Sequence, residues 1–240
     1  MQAEAQKLRG RMQFAESQVY GRTGKRCIAC LRDFASRRRT KISMRDAIFL
    51  RLFLSLIKSD EPRVISLHPP KSVVLITDAC CERESRERIC GIGGTLVDTY
   101  TGTKKFFSCE LSQEQRRLLG ELSKKQIIFE TETLFAIVAF SLWSDCLKDR
   151  VCFLYVDNEG TEFSPMKGMS ENPTADAIAQ VFAEIETHVH TLCWRARVSS
   201  FSNIADAPSR GACDTLKKLG FTDVSMDALK RCLGFAFQLV

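Results

Sequence analysis

Two kinds of hydrophobic spacing divide this chain. Up to about residue 58, apolar positions recur three and four apart with basic residues between them, the spacing of amphipathic helices. That spacing predicts helices over 3–20, ending at Gly21, and over 44–58, where Phe49, Leu52, Phe53 and Leu56 form one apolar stripe. Residues 59–72 hold Pro62, Pro69 and Pro70 and read as a linker. From residue 73 short apolar runs take over. The run 73–77 (VVLIT) is nearly continuous, as expected of a central strand covered on both faces. Segments 89–97 and 104–109 complete a meander of three strands. Beyond a polar helix within 111–130 and a short run at 126–129 closed by Glu130, the pattern predicts helix 131–145, strand 151–156, helix 174–187, strand 191–198 and a terminal helical region. Strands alternating with helices in that order imply an α/β fold with a mixed sheet.

Charge sharpens the division. Residues 1–60 carry 14 Lys/Arg against 5 Asp/Glu, whereas the remaining 180 carry 21 against 24. A basic arm, densest at Arg37, Arg38, Arg39 and Lys41, beside an acidic domain suits a polyanionic partner such as nucleic acid. Hydrophobic residues make up 45% of the 240, yet no apolar stretch reaches the roughly 18 residues of a membrane span. The eleven cysteines are scattered and odd in number, which fits reduced thiols in a cytosolic or nuclear protein.

Four carboxylates then stand out by context. Asp78 and Asp157 each close a strand-like run, Glu132 opens the helical run 133–143, and Asp206 follows the last strand. In α/β sheets such positions gather at the carboxyl ends of the strands. Converging carboxylates repel one another and persist mainly around a cation, and hard oxygen ligands in that number suit Mg²⁺.

TDAC at 77–80, GIGG at 91–94, ETLFAIVAF at 132–140, YVDN at 155–158 and NIADAPSR at 203–210 together resemble type 1 ribonuclease H. The resemblance is narrowest to the ribonuclease H domain of retroelement reverse transcriptases of the DIRS-like and Ty3-like groups, and it spans residues 72–215. Residues 7–34 resemble, more weakly, the segment after the polymerase palm of such enzymes. What the resemblance implies is a ribonuclease H-like mixed five-stranded sheet flanked by helices, behind a basic helical segment (1–60) and a linker (61–71), with a C-terminal helical extension (216–240). It implies cleavage of the RNA strand of RNA–DNA hybrids with two Mg²⁺ ions, Mn²⁺ substituting. Asp78 would bridge the ions, Glu132 and Asp157 would hold one, and Asp206 the other. The polymerase part of a reverse transcriptase is the implied protein partner, and no membrane is. Gly91, Gly93 and Gly94 would let the hybrid's backbone approach, and Asn158 would orient substrate or cap a turn. Arg210 would contact a phosphate or brace Asp206, and Arg37–Arg39 would grip nucleic acid. The histidine that some relatives carry before the last aspartate is absent from VSSFS at 198–202, which implies slower turnover.

Plainer readings accompany these. Cys27 and Cys30 form one C-x-x-C, which lacks the second pair of a closed zinc site unless His188, His190 and Cys193 fold across to it. Cys80 and Cys81 read as packing beside a strand end, and Trp143 and Trp194 as core. Glu130 rivals Glu132 but reads as a strand-ending, solvent-facing residue. Rival functions are a nucleic-acid-binding module that keeps this fold without catalysis, and a DNA-cleaving nuclease of the same fold.

Overall fold

The computed structural model describes residues 2–19, 23–36, 38, 40–59, 71–84, 87–122, 127–157 and 173–238. Its sheet is built from β1 (Ser72–Glu84), β2 (Glu87–Asp98), β3 (Lys104–Glu110), β4 (Val151–Val156), β5 (Leu192–Arg197) and β6 (Thr222–Asp223). Spatial order is β5-β4-β1-β2-β3-β6. β1, β2 and β3 pair antiparallel as the expected meander, while β4 runs parallel to β1 and β5 parallel to β4. The α/β class and the mixed sheet are thus as expected, but the strands number six. β6 is a two-residue parallel addition beside β3, too short to show any periodicity of its own.

Helices α1 (Gln2–Glu16), α2 (Thr23–Ala35) and α3 (Met44–Lys58) precede the sheet. Only two helices are expected here from the sequence, and α2 is the addition. It seats Cys27 against Phe49 and Phe53 of α3, so the apolar spacing of Cys27, Leu31 and Ala35 marks a packed helix face. Burial, with Cys30 beside it, pushes the Cys27 thiol up to about 12. Among the described residues no further His, Cys, Asp or Glu joins Cys27 and Cys30 in a group that could hold a metal ion, and both side chains are buried as packing. α3 begins where expected because Ser43 caps it. The Ser43 hydroxyl accepts from the Asp46 amide (3.1 Å) and donates to the Asp46 carboxylate (2.6 Å).

α4 (Gln113–Leu122) leads to α5 (Ile127–Leu142), followed by the short α6 (Ser144–Leu147) and, after β4, by α7 (Pro173–Val189). Residues 127–129 are therefore helical, and Glu130 lies inside α5 rather than at a strand end. Apolar residues on every side bury the 134–140 stretch of α5: Leu134, Phe135, Ile137, Val138 and Phe140 have essentially no exposure. It packs on one face of the sheet through Val73, Leu75, Cys152 and Leu154. After the short α8 (Asp206–Ser209) and α9 (Asp214–Lys218), the last helix, α10 (Met226–Gln238), adds Leu229, Leu233 and Ala236 to that same core.

Among the described residues, β1 is covered more deeply on one face than on the other. Val73, Leu75 and Thr77 are buried, whereas Val74 and Ile76 are half-buried. An all-apolar run signals burial without saying how deep each face lies. Trp143 is core, but Trp194 on the outer strand β5 is 59% exposed, against expectation. Its apolar neighbours in sequence could not reveal that no strand among the described residues lies beyond β5.

Candidate active site

β1 stays paired with β2 as far as Glu84, but its pairing with β4 stops at Ile76–Tyr155. A crevice therefore opens between β1 and β4 two residues before Asp78. Continuing the register by two residues sets Asp157, just past the end of β4, level with Asp78. Register and strand ends, not sequence proximity, bring these carboxylates together.

Asp78 is buried, at 4% exposure, and both of its oxygens are engaged. Oδ1 accepts from Asn203 Nδ2 at 2.9 Å and Oδ2 from the Ser209 hydroxyl at 2.6 Å. Burial pushes this carboxyl above its ordinary range, the Ser209 hydrogen bond opposes that, and the charges of Asp157 and Asp206 push it further up. Arg210 pulls the other way without cancelling the rise. Asp157 and Asp206 therefore stand close enough to Asp78 to act on it through a medium of low polarity.

Asp157 is half-buried. Its Oδ2 accepts from the Ser200 hydroxyl at 3.2 Å, and its carbonyl accepts from Arg197 Nε at 3.1 Å. Asp206 opens a one-turn helix, α8 (Asp206–Ser209), and its Oδ1 accepts from Arg210 Nε at 3.1 Å. Of the two roles expected for Arg210, the structure shows the brace. Both side chains are 47% exposed, so the pair orients Asp206 more than it stabilises the fold. Glu132 is buried at 6% exposure as the sixth residue of α5, one turn deeper than the expected first turn. α5 packs against β1.

The turn carrying Asp206 is clamped onto the sheet. Asn203 caps it, its Oδ1 accepting from the Ala205 amide at 3.1 Å. Ser108 Oγ donates to the Pro208 carbonyl at 2.6 Å, and Cys80 Sγ to the Ser209 carbonyl at 3.0 Å. Asn203 and Ser209 are functional positions that sequence reasoning missed. Both lie inside the NIADAPSR run, and two small polar residues three before and three after an aspartate were the available signal.

The glycines receive a different role from the expected one. A Cβ on Gly93 would collide with the Ser209 amide and come within 2.7 Å of the Ala205 carbonyl; one on Gly91 would collide with the Ser209 carbonyl. One on Gly94 would enter the Phe107 ring. The backbone approaching β2 is thus this chain's own Ala205–Ser209 turn. That occupies the room assigned to a hybrid at Gly91 and Gly93, and the Phe107 ring does so at Gly94.

Asn158, Arg37 and Arg39 lie outside the described residues. Arg38 is exposed on the turn after α2, where its amide donates to the Asp33 carbonyl (2.9 Å), and no described hydrogen bond or ion pair links it to the carboxylates.

The donors present fit a hard divalent cation in kind: carboxylate oxygens, at the open end of a parallel strand pair, with Asp157 and Asp206 raising the proton affinity of Asp78. Among the described residues, however, no three His, Cys, Asp or Glu side chains are grouped tightly enough to hold a metal ion. Each carboxylate oxygen keeps a lone pair beyond the hydrogen bond it accepts, so Asp78 can ligate without leaving Asn203 and Ser209.

No family model matches the chain, and no curated protein matches it. Solved structures similar to it are ribonucleases H. Ribonuclease H1 of the halophilic archaeon Halobacterium salinarum NRC-1 is 16% identical over 60% of this chain and 98% of its own, with a TM-score of 0.40. LC11 ribonuclease H1, solved in complex with an RNA/DNA hybrid, is 15% identical over 60% and 99%, with a TM-score of 0.40. The N-terminal ribonuclease H domain of a Mycobacterium tuberculosis protein is 10% identical over 62% and 98%, with a TM-score of 0.38. At these identities and TM-scores the likeness says nothing of what this chain does.

Proposed function

We propose that this chain is a Mg²⁺-dependent endonuclease that hydrolyses the RNA strand of RNA–DNA hybrids, as the ribonuclease H part of a retroelement reverse transcriptase. The observation that carries the reading is geometric: Asp78, buried and held by both oxygens, lies level with Asp157 and against the turn that bears Asp206, where β1 and β4 part. A fold does not keep a buried carboxylate beside two others for stability, so the arrangement serves a cation and its chemistry. The order Asp78, Glu132, Asp157, Asp206 and the flanking motifs favour hybrid RNA as the substrate.

Asp78, Asp157, Asp206 and Glu132 would hold the metal. Bound there, divalent ions supply an activated water and neutralise the charge that builds on the leaving 3′ oxygen. The chain's own residues do the positioning. Asn203 and Ser209 fix the Asp78 carboxylate by its two oxygens, Arg210 holds Asp206, and Ser200 holds Asp157. RNA is told from DNA by its 2′-hydroxyls, which line the shallow groove of the hybrid. The basic N-terminal arm supplies electrostatic attraction for the duplex, and the scattered cysteines suit a reducing cytosolic or nuclear setting.

The test is cleavage of end-labelled RNA–DNA hybrid, duplex DNA and duplex RNA in Mg²⁺ or Mn²⁺, with Asp157→Asn beside wild type. Cleavage of the hybrid's RNA strand, lost in Asp157→Asn, is expected. Tight hybrid binding with no cleavage in either metal would replace the enzyme with a binding module, and cleavage of duplex DNA would replace the substrate.

A further inference from the structure

Phe201 is fully exposed at 102%, the most exposed large apolar side chain among the described residues. It sits at the centre of a single 3₁₀ turn, Ser200–Ser202, between β5 and α8. Leaving a phenylalanine in water forgoes burial that most aromatics here obtain, and the other exposed ones, Phe14, Tyr100, Trp194 and Phe235, are all less exposed than Phe201. The turn is also rigid. The Ser202 amide donates to the Ser199 carbonyl (2.8 Å) and the Asn203 amide to the Ser200 carbonyl (3.2 Å), with the Ser199 and Ser202 hydroxyls 3.1 Å apart.

Both ends of that turn are tied to candidate catalytic carboxylates. On one side of Phe201, the Ser200 hydroxyl donates to Asp157; two residues beyond it, Asn203 donates to Asp78. Ile204, 39% exposed, continues the apolar surface toward Asp206, and Arg197 lies at the other side with its Nε on the Asp157 carbonyl. An aromatic is thus held in a set place, at the rim of the acidic crevice, with a cation close by.

We propose that Phe201 is a substrate-positioning residue: its ring lies in the wide, shallow minor groove of the hybrid, against sugars and base edges beside the phosphate presented to Asp78 and Asp157. This rests on the hybrid-nuclease reading of the site. The chemistry chooses the groove. A ring without hydrogen-bonding groups gains nothing from phosphates and gains contact area from sugar and base faces. Wedge-like apolar side chains use minor grooves in the same way. The stretch before Asp206, which holds no histidine, thus presents a residue that would hold the duplex in register rather than one that moves a proton.

The test compares wild type, Phe201→Ala and Phe201→Trp as full chains. Anisotropy of a fluorescein-labelled hybrid in EDTA reads binding, hybrid cleavage in Mg²⁺ reads kcat and KM, and thermal unfolding reads the fold. Phe201→Ala is expected to weaken binding and raise KM about five- to fifty-fold, as loss of one aromatic–nucleotide contact does. Its kcat should stay within threefold and its Tm unchanged, and Phe201→Trp should restore binding. If wild type binds and cleaves while Phe201→Ala does so equally well, the Phe201 proposal falls and the nuclease reading stands. A fall in kcat with unchanged binding would make the turn a brace for Asp157 and overturn the proposal. A fall in Tm would show that the ring is covered by protein in solution, which also overturns it. Wild type that neither binds nor cleaves hybrid overturns both readings.

Discussion

The hydroxyl of Ser209 donates to the carboxylate of Asp78 at 2.6 Å across a sequence separation of 131. That bond, with the one from Asn203, makes the last loop of the domain a template for the first carboxylate. Loss of the Ser209 hydroxyl removes an interaction that lowers the proton affinity of Asp78. Ser209→Ala should therefore move the acid limb of the pH–rate profile for hybrid cleavage to higher pH. At neutral pH the rate should fall about 10-fold or more, the usual cost of losing a group that orients a metal ligand. An unchanged profile would mean that Ser209 serves folding alone.

Asp78 itself should trade stability for function. Its proton affinity is raised in the folded chain, so the fold is favoured below the ordinary value of 3.8 and loses stability as pH rises through the folded value. At neutral pH the ionised, buried carboxylate is a net cost. Asp78→Asn keeps hydrogen-bonding atoms for Asn203 and Ser209 and removes the repulsion from Asp157 and Asp206. It should raise Tm at pH 7–8 while abolishing hybrid cleavage. Adding Mg²⁺ should raise the Tm of wild type and leave that of Asp78→Asn unmoved, since only binding to the folded state shifts the midpoint.

Gly93→Ala distinguishes the two uses of the glycine strand. The added Cβ meets the Ser209 amide, the Ala205 carbonyl and the Pro208 backbone, none of which can rotate away. A loss of about 1–3 kcal/mol in stability without any ligand is expected, measured by urea unfolding, as for other overpacked interiors. Undiminished stability with weakened hybrid binding would restore the view that nucleic acid approaches there.

At the opposite end of the sheet, Asp98 joins the β2–β3 turn to the start of β4. Its Oδ1 accepts from the Tyr100 and Thr101 amides, and Oδ2 from Arg150. Burial works against ionisation, but these hydrogen bonds outweigh it and hold the carboxyl down to about 2. The stability it contributes is therefore complete above the ordinary 3.8 and is lost as pH falls from there through about 2. Asp98→Asn should cost about 2 kcal/mol at pH 7 and flatten the acid limb of a stability–pH curve over that window. Hybrid cleavage per folded molecule should be unaffected.

Local signals carried a good part of this protein. α3 from Met44 to Lys58 and β4 from Val151 to Val156 occupy the residues that their spacing predicts, because a cap such as Ser43 and a bounded β-branched or aromatic run act within a few residues. The end of β4 likewise announced Asp157, whereas Asp78, expected at a strand end, lies inside β1, which runs on beside β2 to Glu84 after its pairing with β4 has stopped. Other features depend on who the neighbours are. α2 escaped notice because its Cys27 and Cys30 suggested metal, and only Phe49 and Phe53, some twenty residues on, show that face to be packing.

Trp194 and Glu130 went the same way. An apolar strand reads alike at the centre and at the edge, and a helix that is apolar on every side reads like a strand over four residues. Composition and spacing along the chain determined every strand of the sheet but β6, most helices and which carboxylates to watch. Tertiary structure decided which backbone fills the space over Gly91 and Gly93, and that Asn203 and Ser209 grip Asp78. Those outcomes depend on contacts more than a hundred residues apart, where sheet register and close packing, rather than local preference, set the free energy.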